Sequence, residues 1–146
     1  MDHIVYLDHK AKELENLHTG MKTMLLRGAM GRKLPHGRVA AGDVLYFIEN
    51  KGDGLIKAKG VVDTVLHSDK LSREESLALV EEHQERLKLS PSLYQRFAGK
   101  RYLVIIALRD IEDLVPFSID RSAYGNMDDW LPVGNIGKVR LGSGLS

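Results

Sequence analysis

A predicted β-hairpin in the first half of the chain restricts the fold more than any other feature. The run Val44–Ile48 is rich in β-branched and aromatic residues, and turn residues follow it at Asn50–Gly54. The returning strand extends from Leu55 to about Leu66 and is interrupted by Gly60. Because glycine inside a strand marks a bulge or a close backbone approach, we expect this long strand to bend. The hairpin therefore favours a small barrel over a parallel layered sheet.

The other elements predict an α+β fold. In chain order they are a strand at 3–7, a helix at 8–18 ended by Gly20, a strand at 22–26, helices at 72–87 and 90–97, a buried strand at 101–108, and a strand or edge segment at 111–117. Together with the hairpin they predict a mixed β-barrel, with a helix after the first strand and a helical insertion around 72–98. The length of 146 residues predicts one domain.

Composition excludes several classes of function. The chain contains no cysteine, which excludes thiol catalysis and cysteine-ligated zinc and indicates a cytoplasmic protein. Its six histidines show no metal-binding spacing, so we expect no metal and no cofactor. We see no secretory signal, and no apolar run approaches the ~18 residues of a membrane span, so we expect no membrane partner. The oligomeric state is left open.

The charges are segregated along the chain. Although the chain has 20 acidic and 21 basic residues, no Asp or Glu occurs from Asn16 to Gly42. This acid-free segment carries five cations among glycines, namely Lys22, Arg27, Arg32, Lys33 and Arg38. Cations and glycines in one loop suit the binding of an anion by side chains and backbone. The segment therefore predicts an anion-binding or nucleic-acid-binding surface.

Part of this segment resembles a known family. Gly20-x-Lys22-x-x-x-x-Arg27 is similar to the Gly-x-Lys-x-x-Glu-x-Arg signature of ASCH domains, a branch of the PUA-like superfamily. The turn Gly42–Leu45 into the hairpin resembles the next element of that family. The resemblance covers roughly residues 1–115, and we expect 116–146 to be a C-terminal extension packed on the domain. It implies a PUA-like barrel with an RNA- or nucleotide-binding cleft.

The resemblance also implies which residues line that cleft. Lys22 and Arg27 would face the ligand, and Gly20 would permit the turn that introduces them. We add Arg32, Lys33 and Arg38 from the basic loop as phosphate contacts, and Tyr46 as an aromatic on which a base stacks. Regular strand alternation places Lys22 and Arg27 on opposite faces. They can converge if the strand is bulged or if Lys22 lies at its entrance.

Leu25 departs from the family signature at a position that bears on catalysis. The family has Glu there, and members that resemble amidohydrolases acting on N-acetylated cytidine have a catalytic Thr. An aliphatic side chain can neither accept a proton nor attack a carbonyl. Candidate catalytic residues are then Lys22 with Thr23, and Asp63 or Glu49 as the acid.

Three hypotheses remain open from the sequence. The first is a PUA-like domain that binds RNA or a modified nucleotide in the basic cleft. The second is a small hydrolase, either a nucleoside amidohydrolase or a ribonuclease of the ASCH type. The third is a barrel that serves protein contacts alone.

Overall fold

The computed structural model describes residues 1–124 and 129–141. It contains strands β1 (Asp2–Leu7), β2 (Met24–Ala29), β3 (Val44–Glu49), β4 (Leu55–His67), β5 (Tyr102–Ser118) and β6 (Trp130–Gly134), helices α1 (Glu13–Thr19), α2 (Arg73–Leu87) and α3 (Pro91–Phe97), and a 3-10 turn (Ile136–Lys138). The strands form one mixed sheet in the order β2-β5-β4-β3-β1-β6, curled into a half-barrel. β1 pairs with β3 in parallel, and the other neighbours are antiparallel.

The predicted hairpin is confirmed as β3 and β4. The register between β4 and β5 shifts at several points along the bent pair. One shift lies between Lys59 and Val61, on either side of Gly60, which agrees with the bulge predicted there, and an added Cβ at Gly60 would lie 2.7 Å from Ile111 Cδ1. The two segments expected at 101–108 and 111–117 form one continuous strand, β5, which passes through Asp110 at a φ of 54°. Residues 111–117 are therefore a strand, as one of the two predicted alternatives had it, but they continue the strand at 102–108 and do not form a separate element.

The first helix begins later than the sequence predicted. Asp8 accepts a hydrogen bond from the Ala11 N–H at 2.9 Å, and this stabilises a turn that precedes the helix. Lys12 then adopts a left-handed conformation at a φ of 56°, and α1 starts at Glu13. Gly20 ends the helix at a φ of 79°, as predicted.

Strand β2 begins at Met24, so Lys22 precedes the alternation of the strand. The Lys22 N–H donates to the Asn16 carbonyl at 3.0 Å, which places this residue at the entrance of the strand. Leu25 packs in the core cluster inside the half-barrel, while Met24 and Leu26 pack in the cluster formed with α2 and α3. Arg27, two residues after Leu25, therefore faces the interior of the half-barrel.

Both predicted helices of the insertion are confirmed. Ser72 and Glu75 form a capping box at the start of α2, and Ser90 caps α3 ahead of Pro91. Their apolar residues cover the outer face of β2 and of the first half of β5, which buries residues 103–108 on both faces, as expected for a central strand.

Strand β6 was not predicted. It pairs antiparallel with the edge of β1, and Trp130 is completely buried. The Trp130 Nε1–H donates to His3 Nδ1 at 3.0 Å, and His3 Nε2 donates to Asp43 Oδ2 at 2.8 Å. Part of the extension expected at 116–146, namely residues 125–128 and 142–146, lies outside the described residues. The described part of this segment places Asp129 beside Arg27.

Candidate functional site

Two cavities meet at Arg27. One, which we name the Tyr6 cavity, has a volume of about 250 Å³ and is lined by Tyr6, Asp8, Glu13, Arg27, Asn50, Leu93, Arg96, Phe97, Arg121 and Asp129. The other, the Lys33 cavity, has a volume of about 170 Å³ and is lined by residues that include Gly28, Lys33, His36 and Tyr102. Both cavities share Arg27, Arg96, Phe97 and Asp129. They are therefore adjacent parts of one site.

Arg27 is held rigidly between the two cavities. Its side chain is 5% exposed, and its two terminal nitrogens donate to the carbonyls of Leu26 at 2.8 Å and Tyr6 at 2.9 Å. The buried Nε–H has no hydrogen-bond acceptor among the described residues, since Asp129 Oδ2 lies 3.8 Å away. An unmatched buried donor costs on the order of 1–3 kcal/mol. A ligand oxygen that accepted this hydrogen bond would remove that cost.

Guanidinium groups lie over both aromatic rings that line the Tyr6 cavity, those of Tyr6 and Phe97. Arg27 and Arg96 lie 5.3 and 4.8 Å from the centre of the Phe97 ring. Arg121 lies 5.1 Å from the centre of the Tyr6 ring and donates to the Tyr6 hydroxyl at 2.7 Å. Arg96 is 53% exposed and pairs with Asp129 at 2.9 Å. The site thus presents planar cations backed by aromatic rings.

Lys22 does not itself line the Tyr6 cavity, but it pairs with Glu13, which does. Lys22 is 1% exposed; its Nζ donates to the Leu87 carbonyl and lies 3.4 Å from Glu13 Oε2. Glu13 itself lines the cavity, and its Oε1 accepts from the Asp8 N–H at 3.0 Å. Burial lowers the pKa of Lys22, the Glu13 carboxylate opposes this shift, and the positive charge of Arg27 adds to it. The two signature cations are therefore electrostatic neighbours.

The residues predicted from the basic loop have different positions. Lys33 lines the Lys33 cavity, and the Arg32 guanidinium lies 5.5 Å from the centre of the Tyr102 ring at its wall. Arg38 is exposed and lines neither cavity. Gly20 ends α1 and likewise lines neither cavity. The structure thus brings Arg27, Arg32 and Lys33 to one region.

The remaining candidates lie away from the two cavities. Tyr46 packs in the cluster around Ile4 and Ile48, where burial raises its pKa. The Thr23 hydroxyl accepts from Arg86 Nε at 3.0 Å, so it is engaged with α2. Asp63 is exposed on β4, 3.7 Å from Arg109 Nε. Glu49 contacts His9 Nδ1 at 3.1 Å on the opposite side of the loop at Asp8.

Several lining residues were not identified from the sequence, notably Tyr6, Arg96, Phe97, Arg121 and Asp129. They lie on a strand, a short helix and the segment before β6, and no local pattern joins them. The sequence indicates these lining residues only weakly. Arg96 directly precedes Phe97 at the end of a helix, and Asp129 directly precedes the single tryptophan of the chain.

The described residues also bear on metal binding and on membrane insertion. Within 1–124 and 129–141, no group of three or more His, Asp or Glu is arranged to hold a metal ion. No helix in these ranges is long and apolar enough to cross a membrane.

Comparison with solved structures relates this fold to ASCH proteins. The crystal structure of ASCH from Zymomonas mobilis matches with a TM-score of 0.60 and 17% sequence identity, covering 88% of this chain and 82% of that chain. A tyrosine-to-phenylalanine mutant of that protein matches with a TM-score of 0.61 at 15% identity, covering 88% of this chain and 84% of the mutant chain. No protein-family model and no curated protein matches the chain.

Proposed function

We propose that this chain, which has an ASCH-like fold, binds single-stranded RNA or a nucleotide at Arg27. In this proposal a base occupies the Tyr6 cavity and a phosphate occupies the Lys33 cavity. The observation that carries the proposal is the buried Arg27 side chain, whose Nε–H lacks an acceptor among the described residues and lies where the two cavities meet.

The Tyr6 cavity suits a base better than it suits a bare phosphate. Its three arginines are balanced by three carboxylates, those of Asp8, Glu13 and Asp129. Bases stack on guanidinium planes as well as on aromatic rings, and carboxylates accept hydrogen bonds from base edges and sugar hydroxyls. Arg96 and Arg121, each held against an aromatic ring, provide such planes.

The Lys33 cavity suits a phosphate. Lys33, Arg27 and Arg96 line it together with Gly28 and His36, and among the described residues Asp129 is the one carboxylate in its lining. Arginine and lysine supply charge-assisted hydrogen bonds to phosphate oxygens. A nucleotide that spans the two cavities would pass Arg27, whose Nε–H would gain its missing acceptor.

The test is calorimetric titration with nucleosides, nucleoside monophosphates and short single-stranded RNA. Arg27→Met removes the donors at similar volume, and we expect affinity to fall about 10- to 100-fold, as for the loss of a hydrogen bond to a charged group. Arg109→Met removes a surface arginine outside both cavities and should leave the affinity unchanged. Circular dichroism and thermal melting of each variant check that it is folded.

Unchanged affinity in a folded Arg27→Met variant would contradict the proposal. If no nucleoside, nucleotide or RNA binds the unmodified protein, the hypothesis of a protein-contact barrel is favoured instead.

A hydrolase is the second candidate, favoured by the buried Lys22–Glu13 pair behind the Tyr6 cavity. Burial lowers the pKa of Lys22, which favours the neutral amine that acts as a base. Against this reading, the fully buried Leu25 cannot supply a nucleophile, and the Thr23 hydroxyl is bonded to Arg86. Release of cytidine from N-acetylcytidine, or cleavage of RNA, would support the hydrolase if Lys22→Met abolished it. If the protein binds these molecules without hydrolysing them, only the first proposal, the binding of RNA or a nucleotide, is supported.

A further inference from the structure

A third opening lies outside the site described above and is strongly basic. This Arg73 cleft has a volume of about 490 Å³ and lies at the junction of the loop before α2, the loop before β5, and Met30. Its lining includes Lys70, Arg73 and Arg101, and no carboxylate of residues 1–124 or 129–141 lines it. None of the three cations makes an ion pair within 4.0 Å with any residue in 1–124 or 129–141. Three like charges thus line one opening, and no acidic residue in the part of the chain that the structure describes is paired with them.

The backbone holds these cations together. The Leu71 N–H donates to the Arg101 carbonyl at 2.8 Å, which ties the segment that carries Lys70 and Arg73 to the start of β5. At Gly99, whose φ is +84°, an added Cβ would lie 2.8 Å from Arg73 Nη1, so the guanidinium of Arg73 packs directly over this glycine. Like-charge repulsion opposes this convergence, and an anion in the cleft would relieve it.

The cleft and the Lys33 cavity share no lining residue, but two segments of the chain run from one to the other. Gly28 and Ala29 line the Lys33 cavity, and Met30, the next residue, lines the cleft. Tyr102 lines the cavity and its neighbour Arg101 lines the cleft. Arg32 lies over the Tyr102 ring at this boundary. Cations therefore line both openings, and Arg32 lies between them over Tyr102.

We infer that the Arg73 cleft binds backbone phosphates of a single-stranded RNA whose neighbouring nucleotide occupies the Arg27 site. The inference rests on the proposed function and extends it from a mononucleotide to a polymer. Single-stranded RNA fits this arrangement because its bases are free to enter a cavity while its backbone follows a positively charged groove. Glu74 is exposed on the first turn of α2 but does not line the cleft, and Glu75 is engaged in the capping box.

The test compares a nucleoside monophosphate with a ten-nucleotide single-stranded RNA. In the double variant Arg73→Gln/Arg101→Gln we expect the monophosphate affinity to stay unchanged and the affinity for the longer RNA to fall about tenfold at low salt. The slope of log affinity against log salt should decrease by about 1.4, since each lost phosphate contact on a single strand removes about 0.7. Melting temperatures of both forms check that the fold is intact.

A charge-matched control separates this site from general electrostatics. The double variant Arg109→Gln/Arg140→Gln removes Arg109 of β5 and Arg140, which forms an isolated bridge with Ile119. It should leave the salt slope nearly unchanged. Equal weakening of the longer RNA by both double variants, or none by either, overturns the inference. If the monophosphate binds through Arg27 and the longer RNA binds no more tightly, the inference fails while the proposed function stands. If the longer RNA depends on Arg73 and Arg101 but not on Arg27, the proposed function fails while the cleft is supported.

Discussion

The two halves of the acid-free segment from Asn16 to Gly42 differ in what their cations contact. Lys22 and Arg27 are 1% and 5% exposed, and backbone carbonyls accept hydrogen bonds from both. Arg32, Lys33 and Arg38 are exposed on the loop that follows β2. The same residue types therefore serve as fixed parts of the interior in one half and as exposed charges on a surface loop in the other.

This difference shows that charge alone does not identify the ligand-contacting residues. A buried cation must be paired or hydrogen-bonded, and most of its bonding capacity is then used by the protein. Lys22 uses its capacity on Glu13 and Leu87, whereas Arg27 keeps its Nε–H unmatched toward the cavities. The exposed cations are closer to solvent, so salt screens their contribution to ligand binding more strongly than it screens that of Arg27.

The largest effect should come from breaking the buried pair. Glu13→Gln keeps the volume and an acceptor for the Asp8 N–H but leaves Lys22 buried without its carboxylate. We expect the free energy of unfolding, measured in urea, to fall by about 3 kcal/mol, because an uncompensated buried charge is strongly unfavourable.

The double variant Glu13→Gln/Lys22→Met removes both charges and should recover most of this loss. If Glu13→Gln is as costly with Met at position 22 as with Lys, then the pairing of the two charges is not the cause.

A smaller loss of unfolding free energy is expected from a substitution at Gly28, where the buried half of the segment meets the exposed half. At Gly28 an added Cβ would lie 2.8 Å from the Phe97 carbonyl oxygen and 2.9 Å from Leu103 Cδ2, whereas at Gly31 nothing lies within 4 Å. Gly28→Ala should therefore cost about 2 kcal/mol of unfolding free energy, and Gly31→Ala should change it by less than about 0.5 kcal/mol. Equal losses of unfolding free energy in Gly28→Ala and Gly31→Ala would show that the buried half of the segment does not end between these two glycines.

Local patterns predicted much of the fold correctly. The hairpin, the capping box at Ser72 and the helix stop at Gly20 depend on residues a few positions apart, so the sequence contains the whole signal. Strand β6 has five residues and includes Pro132, and its partner β1 lies at the other end of the chain. Such a strand is defined by its partner more than by its own composition, and it was missed.

The candidate site was less predictable for the same reason. Arg27 came from the family signature, but the Tyr6 carbonyl, Phe97 and Asp129 that surround it come from three distant segments. The burial of Lys22 depends on Glu13 in α1 and on Leu87 at the end of α2. Tertiary packing decides such contacts, and no spacing along the chain encodes them.

The smallest expected effect concerns the charge of Arg38, in the exposed half of the segment, and its influence on the pKa of the buried His3 side chain. Buried His3 accepts a hydrogen bond from Trp130 at Nδ1 and donates from Nε2 to Asp43, so it is neutral in the folded chain. Burial lowers the pKa of His3 below its ordinary 6.5; Asp43 opposes this, and the charge of Arg38 adds to it.

The sign of the pH dependence follows from that shift. Above pH 6.5 His3 is neutral in both states and its full contribution to stability is present. As the pH falls through 6.5 the unfolded chain binds the proton first, so the free energy of unfolding decreases until the folded histidine titrates at its lower pKa. Urea unfolding at a series of pH values from 7.5 to about 5 measures this loss, and His3→Gln should remove its part of it.

The Arg38→Ala variant tests whether this exposed charge affects the titration of the buried His3. Removing this exposed charge brings the pKa of folded His3 closer to its ordinary value, so the loss of stability between pH 7 and 5 should be slightly smaller than in the unmodified chain. Because Arg38 acts across solvent, added salt should reduce the difference between the two proteins. Arg32→Ala, which removes an equal charge from the same loop next to Tyr102, should leave the pH profile of stability unchanged. An identical change in both variants would mean that net charge, rather than the position of Arg38 beside His3, sets the profile.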